Sequence, residues 1–444
     1  HKTMFNLIIK NIWARRRRNG WLFIELVAVA IVSWVIFDPV VVGLYVRNLP
    51  MGYDTDRLCR ISLGRYYEGA SEFSADADST LFEDIDRIMY QARNMPDVES
   101  STQLLGFAYP GSSGNSNSMY CNPNDTTKLL RVSNMYYKPR TDFFKTFGIQ
   151  PAEGYTVEQL EEAALPANSM LLSEDGANEF YGSNLSNMRA SLPPRYQSMV
   201  PDWKDKEVTG VFKPFKMNNG NRAIPVAFYR FSPDDNNGTE IPGQTFILVR
   251  VKEGVNLDRF IDSFNENGMK QLHSGNLYAR SITKFSTVME NRDSYYLNAM
   301  HMRYVLAAFF MISLCLGVIG TFWLQTKVRK EDVGVMLSFG GTPKTIMGML
   351  MGEGVLLTTI AVVLGCLIYM QYGISEGLVN DYLWGGARAD SPMVADSWID
   401  TFPQHFLIVS GIIWVIMTIV VLIGIFIPAY KISHILPTEA LRDE

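Results

Sequence analysis

Histidine and cysteine are scarce in this chain, and neither is spaced for chemistry. The 444 residues hold five histidines (His1, His273, His301, His405, His434) and four cysteines (Cys59, Cys121, Cys315, Cys366). None has metal-ligand spacing and no Cys-x-x-Cys occurs, which argues against a zinc site and a dithiol redox motif. The chain also lacks a G-x-x-x-x-G-K-[ST] run: Gly340-Gly341-Thr342-Pro343-Lys344-Thr345 has too short a loop to cradle phosphates. Any nucleotide chemistry therefore needs a second polypeptide. Without a G-x-S-x-G or comparable nucleophile context, a hydrolase has little support, so the expectation is a non-catalytic chain. There is no excess of basic residues either. The formal net charge of −5 argues against nucleic acid as a partner, and the Arg15 to Arg18 cluster reads as topogenic or lipid-facing.

What is abundant is apolar sequence, gathered in four runs of membrane length. Tyr304 to Thr326 and Phe406 to Tyr430 contain no charged residue, and each exceeds the roughly 20 residues needed to cross a hydrocarbon core. Trp21 to Tyr45 carries Glu25 and Asp38, and Ile346 to Tyr372 carries Glu353, each toward an end where it can snorkel. The predicted spans are 21–46, 304–326, 346–372 and 404–430. Lys2, Lys10 and Arg15 to Arg18 precede the first span; Lys327, Arg329, Lys330 and Lys344 lie between the second and third; Lys431 and Arg442 follow the fourth. The 373–403 hairpin instead sets Arg388 against Glu376, Asp381, Asp390, Asp396 and Asp400. By the positive-inside rule the 1–20 segment, the 327–345 connection and the 431–444 tail are cytoplasmic, and residues 47–300 and the hairpin are outside. Thr3 to Trp13 suits an amphipathic helix on the inner surface or a simple run-in to the first span. A cleaved secretory signal fits less well, because the first run is long and no small-x-small site follows it.

The fold class is an α-helical membrane protein with four spans and a large α+β extracytoplasmic domain inserted between the first and second. Strands are expected at Leu58 to Leu63, Val98 to Leu105, Leu129 to Met135, Met170 to Ser173, Val208 to Lys213, Ile224 to Phe231, Thr245 to Val251 and Leu277 to Ile282. Helices are expected near Ser79 to Met95, Thr141 to Phe147, Thr156 to Ala164, Asp175 to Tyr181 and Leu257 to Asn265. Tyr109 to Asn124, rich in Gly, Ser, Asn and Pro, reads as a loop. A composition shift at Pro151 to Gly154 suggests a subdomain boundary, with an inserted lobe at about 151–244 and the remaining parts at 47–150 and 245–285. Ser286 to Arg303 reads as a polar stalk helix running into the second span. Cys315 and Cys366 are expected to pack as small apolar residues within spans. A bridge between Cys59 and Cys121 is chemically possible, but two unpaired thiols are favoured in a domain large enough to fold without a staple. His405 reads as interfacial, and Asp38-Pro39 as the outer end or a kink of the first span.

The connection TKVRKEDVGVMLSFGGTPKT, residues 326–345, is the most specific local signal. Arg329-Lys330-Glu331-Asp332 leads into Val333, Val335, Met336, Leu337 and Phe339, a short amphipathic helix, stopped by Gly340-Gly341. Thr342 is placed to cap the third span, with Pro343 in its first turn. Taken alone, these residues describe a well-capped connector at the membrane surface.

In these segments the chain resembles the FtsX-like permease family, which includes the lipoprotein-releasing permeases and the macrolide exporter MacB. The resemblance rests on Arg329 to Gly334, Gly340-Gly341-Thr342, Glu353, Pro428-Ala429-Tyr430-Lys431-Ile432 and Pro437-Thr438-Glu439-Ala440-Leu441-Arg442. Asp332 replaces a commoner glutamate and Met336 a frequent basic residue. Outside, Val132 to Gly154 and Met170 to Gly182 look like parts of the family's periplasmic core domain. The resemblance implies a dimeric, homo- or heteromeric, membrane subunit in the bacterial inner membrane, driven by a separate ATP-binding-cassette ATPase dimer that binds ATP and Mg. It implies a coupling helix formed by Arg329, Lys330, Glu331, Asp332, Val333, Gly334, Met336, Leu337, Gly340, Gly341 and Thr342. A periplasmic adaptor and an outer-membrane channel are further candidate partners. The leading expectation is mechanotransmission that exports or extracts amphiphilic cargo such as a drug, peptide or lipoprotein. The alternatives are a transducer that activates a cell-wall hydrolase and, with less support, a membrane receptor. No residue pattern marks a substrate site.

Overall fold

The computed structural model describes residues 16–112, 116–162, 168–182, 188–193, 205–220, 222–231, 245–376, 378 and 397–434. The Thr3 to Trp13 helix, most of the acidic hairpin and the Pro437 to Arg442 motif fall outside them. The chain forms two compact units. One runs from Val46 to Tyr296 with Trp384–Val394; the other comprises His1–Tyr45, Leu297–Leu383 and Ala395–Glu444.

The second unit is helical. Its long elements are the first helix, Arg16–Asn48, the stalk helix, Phe285–Val328, the third, Pro343–Glu376, and the fourth, Phe402–Ser433, with a short surface helix at Lys330–Ser338. Four are long and apolar enough to cross a membrane, over Gly20–Asn48, Leu297–Thr321, Pro343–Ser375 and Phe402–Ser433. On the first helix Leu22, Leu26, Ala30, Trp34 and Phe37 are buried, a spacing of three or four residues that puts them on one face. Trp34 stacks on Tyr369 at 4.8 Å and Phe406 at 5.1 Å, pinning the first, third and fourth helices together. On the stalk helix Val305, Leu306, Phe309, Ile312 and Leu316 are exposed, as suits a face turned to lipid. The polar stalk and the second span are one continuous helix, Phe285–Val328.

The other unit contains two sheets. The first has five antiparallel strands in the order β10-β11-β1-β9-β2, where β1 is Leu58–Arg65, β2 Val98–Leu105, β9 Thr245–Val251, β10 His273–Ser274 and β11 Leu277–Lys284. The helices Leu81–Arg93 and Leu257–Ser263 cover one face, with Ile85, Ile88, Met89, Phe260 and Phe264 packed on Ile61, Ile247 and Val249. Asn256 caps the second of these through its side-chain oxygen, which accepts from the Asp258 and Arg259 amides. The second sheet is a closed barrel, β3-β4-β8-β5-β7-β6, of Asn117–Asn122, Asp125–Tyr137, Val226–Arg230, Ser169–Ser173, Asp205–Phe212 and Arg189–Ser191 in that spatial order.

Two expectations need correction. Asn117–Asn122 is a strand, although Tyr109 to Asn124 reads as a loop: it pairs with β4 and buries Tyr120 and Cys121, so partners elsewhere in the chain override its weak local signal. The break at Pro151 to Gly154 does not divide the two sheets, because β3 and β4 belong to the barrel with β5 to β8. A cluster of Phe143, Phe144, Phe147, Phe212, Phe215, Phe228, Phe285 and Tyr137 joins barrel, sheet and stalk head, with neighbouring rings mostly edge-on or tilted. Cys59 and Cys121 are both buried free thiols in different sheets, and no bridge joins them. Burial pushes the Cys59 thiol up to about 12, which leaves it unreactive at neutral pH.

Candidate functional site

The segment with the most specific sequence pattern forms a helix over Lys330–Ser338 followed by a tight stop. Gly340 adopts a left-handed conformation (φ +89°), its amide donates to the Leu337 carbonyl at 3.0 Å, and the Gly341 amide donates to the Met336 carbonyl at 2.9 Å. These bonds satisfy carbonyls that a helix end leaves without partners. A side chain at Gly341 would stand 2.7 Å from the Met336 oxygen, so two small residues are needed in succession. The Thr342 hydroxyl then accepts from the Thr345 amide at 3.3 Å and caps the third helix. The turn is thus fixed by Gly340, Gly341 and Thr342 together.

The surface helix is seated by its first residues. Arg329 and Glu353 form an ion pair at 2.6 Å with both side chains buried, while Val333 and Gly334 are buried beside them. Glu353 lies in the third helix, so the pair ties the start of the connection to a spanning element. The snorkelling position expected for Glu353 is corrected: an opposite charge 24 residues earlier holds it inside. Opposite the seat, Val335 and Asp332 are exposed, Met336 and Leu337 are half-buried, and Phe339 stands 88 % exposed. Side-chain positions of Lys330 and Glu331 lie outside the described residues. The arrangement is a helix anchored at its start by a buried ion pair that offers an aromatic and an aliphatic side chain at one surface.

A second buried pair lies among the same helices. His405 Nε2 meets Asp38 Oδ1 at 2.6 Å, Nδ1 meets the Ile399 carbonyl at 3.3 Å, and the Trp398 ring packs edge-on at 5.3 Å. His405 is fully buried and Asp38 nearly so. This corrects the interfacial reading of His405 and the terminal reading of Asp38, because each side chain is covered by the other and by Trp398. Single-residue reasoning missed both pairs, since each joins residues distant along the chain. Among the described residues no group of three or more His, Cys, Asp or Glu side chains is arranged to hold a metal ion.

The family profile described as FtsX-like permease C-terminal matches residues 304–439, and the profile described as MacB-like periplasmic core domain matches residues 27–266. No curated protein matches the chain at a significant level. Among solved structures, a domain of a permease-type protein from Porphyromonas gingivalis is 18 % identical with a TM-score of 0.32, covering 53 % of this chain and 93 % of that one. The periplasmic region of MacB from Actinobacillus actinomycetemcomitans is 11 % identical with a TM-score of 0.30, covering 56 % and 97 %. The extracellular domain of the noncanonic ABC-type transporter YknZ from Gram-positive bacteria is 9 % identical with a TM-score of 0.27, covering 50 % and 100 %.

Proposed function

The chain belongs to the FtsX-like permeases that carry a MacB-like periplasmic core domain, and from that premise we propose that it passes ATPase-driven motion to its external domain. The family makes it a transmembrane subunit of an ATP-binding-cassette transporter, which associates with an ATPase subunit. In the proposed complex a separate ATPase dimer binds ATP and Mg beneath a permease dimer in the bacterial inner membrane, and amphiphilic cargo is moved by the external domains. Arg329 to Thr342 is the seat of the ATPase.

The observation that supports this reading is the combination at the surface helix: an anchored inner side, through Arg329 and Glu353, and an unburied outer side, with Val335 and Phe339. An exposed aromatic beside a rigid anchor suits an interface hot spot. The anchor is equally necessary, because a helix loosely attached to the spans would absorb motion rather than pass it on.

The test uses the chain coexpressed with its cognate ATPase. Val333 and Gly334 are buried, so charged residues there would disturb the seat itself, whereas Phe339→Asp leaves it intact. Phe339→Asp is expected to reduce co-purification of the ATPase by roughly tenfold or more, as loss of an interface anchor does. Undiminished capture and undiminished stimulation of ATP hydrolysis by that variant would remove the coupling assignment.

A further inference from the structure

The external unit contains the end of the first helix and the head of the stalk helix, and one short segment of the barrel lobe bonds to both. Lys216 is 2 % exposed, and its Nζ donates to the carbonyls of Val46 at 2.8 Å and Leu49 at 3.2 Å. These lie in the last turn of the first helix and just beyond it, where the Val46 carbonyl also accepts from the Leu49 amide at 3.2 Å and the helix dipole favours a cation. The Lys216 amide also donates to the Met51 carbonyl at 2.8 Å. Gly52 follows in a left-handed conformation (φ +82°), and a Cβ there would lie 2.6 Å from the Pro214 oxygen and 2.7 Å from Phe215. The chain leaving the first helix is therefore pressed backbone to backbone against Pro214 to Lys216.

The same segment holds the stalk. Arg292, on the stalk helix, donates to the carbonyls of Met217 and Ser112 and to its neighbour Asp293. Asp293 is 5 % exposed, and its Oδ2 accepts from the Asn219 amide at 3.3 Å. Tyr53 completes the junction: it packs edge-on against Phe215 and its hydroxyl donates to Met289 Sδ, also on the stalk. Burial pulls the Lys216 ammonium down to about 8, with the Asp293 carboxylate opposing the fall. The buried Lys216 amine lies three residues before Asn219, whose amide the buried Asp293 carboxylate accepts from, so one short segment engages both.

We propose that Pro214 to Gly220 is a yoke that locks the exit of the first spanning helix to the head of the stalk helix, with Lys216, Arg292 and Asp293 as its positioning residues. The inference rests on the transmission reading above and adds where motion enters the external domain. The chain passes the membrane boundary of this unit through these two helices, and the yoke makes them move as one. Bending at the exit of the first helix would otherwise be cheap: it ends at Asn48, and residues 49–57 contain no regular element.

The experiment is amide hydrogen exchange on the full chain in lipid nanodiscs, without an ATPase, comparing the parent with Lys216→Met and Asp293→Asn. Lys216→Met keeps the buried stem and removes the donor. Exchange over Val46–Tyr53 is expected to rise at least about tenfold in Lys216→Met, and exchange over Phe285–Asp293 to rise in both variants, while strands β1 and β9 stay at parent protection. Lys216→Arg, which restores a cationic donor, should recover most of the protection. Exchange over Val46–Tyr53 within twofold of the parent in Lys216→Met would overturn the yoke. So would loss confined to a general fall that includes β1 and β9, because the contacts would then be ordinary core contacts. As no ATPase is present, such a result leaves the transmission reading intact; failure of Phe339→Asp to uncouple would sink that reading and leave the yoke.

Discussion

Buried charge is handled differently in the two units. Among the described residues of the spanning unit, Arg329 meets Glu353 and His405 meets Asp38, side chain against side chain. In the external unit buried charges also pair, as Arg292 does with Asp293 and Arg250 with Asp54, but several lean on backbone as well. Lys216 rests on two carbonyls, Arg292 on the Ser112 and Met217 carbonyls, Arg250 Nε on the Thr146 carbonyl, and Glu161 on the Phe144 and Lys145 amides. The reason is supply. A spanning helix uses its own N–H and C=O groups internally, so a polar group between such helices turns first to another side chain. Short helices and turns leave amides and carbonyls without partners, and a charged side chain can cap them.

The comparison predicts how each kind of site breaks. Glu353→Leu strands a guanidinium that cannot lose its proton, and should cost about 3–5 kcal/mol in detergent-solubilised thermal unfolding. The double variant Arg329→Met with Glu353→Leu should regain most of that, because an apolar pair of similar volume can replace a buried ion pair. If the double variant is as unstable as the single, the pair has a structural role beyond charge balance. His405→Phe removes one hydrogen-bond partner of the buried Asp38, and its cost should be smaller, about 1–3 kcal/mol in the same assay.

The backbone-held sites should respond more weakly and through pH. Burial raises the Glu161 carboxyl from 4.5 to about 7, against the opposing effect of the amides it accepts from. The folded state therefore binds more protons than the unfolded state between about 4.5 and 7, and the stability contributed by this group falls as pH rises through that window. Glu161→Gln removes the titration and keeps an oxygen acceptor for Phe144 and Lys145. Thermal melts at pH 5 and pH 8 should show the parent losing ground to this variant at the higher pH; a constant difference would place the carboxylate in a less buried setting. Phe339→Asp should have the smallest effect on stability, within about 0.5 kcal/mol, because the side chain is exposed.

Legibility in the sequence followed the same division. The spans were readable because membrane length and the absence of charge are properties of a continuous run. Val98–Leu105 and Thr245–Val251 have the expected bounds, and the stalk is continuous with the second span as its unbroken pattern implies. The Gly340-Gly341-Thr342 turn was legible because each residue has a conformational reason to be there. The strand Asn117–Asn122 was not, since its Ser and Asn residues favour turns and only its neighbours in the barrel make it extended. The Asp38–His405 pair was equally hidden, as its partners are 367 residues apart. Lys216 offered one faint signal: a lysine set directly between two apolar residues, Phe215 and Met217.

In the proposed mechanism, ATP turnover on the partner ATPase moves the lobes of the external unit through the surface helix. Spin labels at exposed Glu99 in β2 and exposed Lys128 in the barrel, in the chain reconstituted with its cognate ATPase, would report that motion by pulsed distance measurement. The account predicts that the label distribution shifts between the nucleotide-free and ATP-trapped states, and that Phe339→Asp abolishes the shift. Identical distributions in both states, in a complex that hydrolyses ATP at its normal rate, would contradict it.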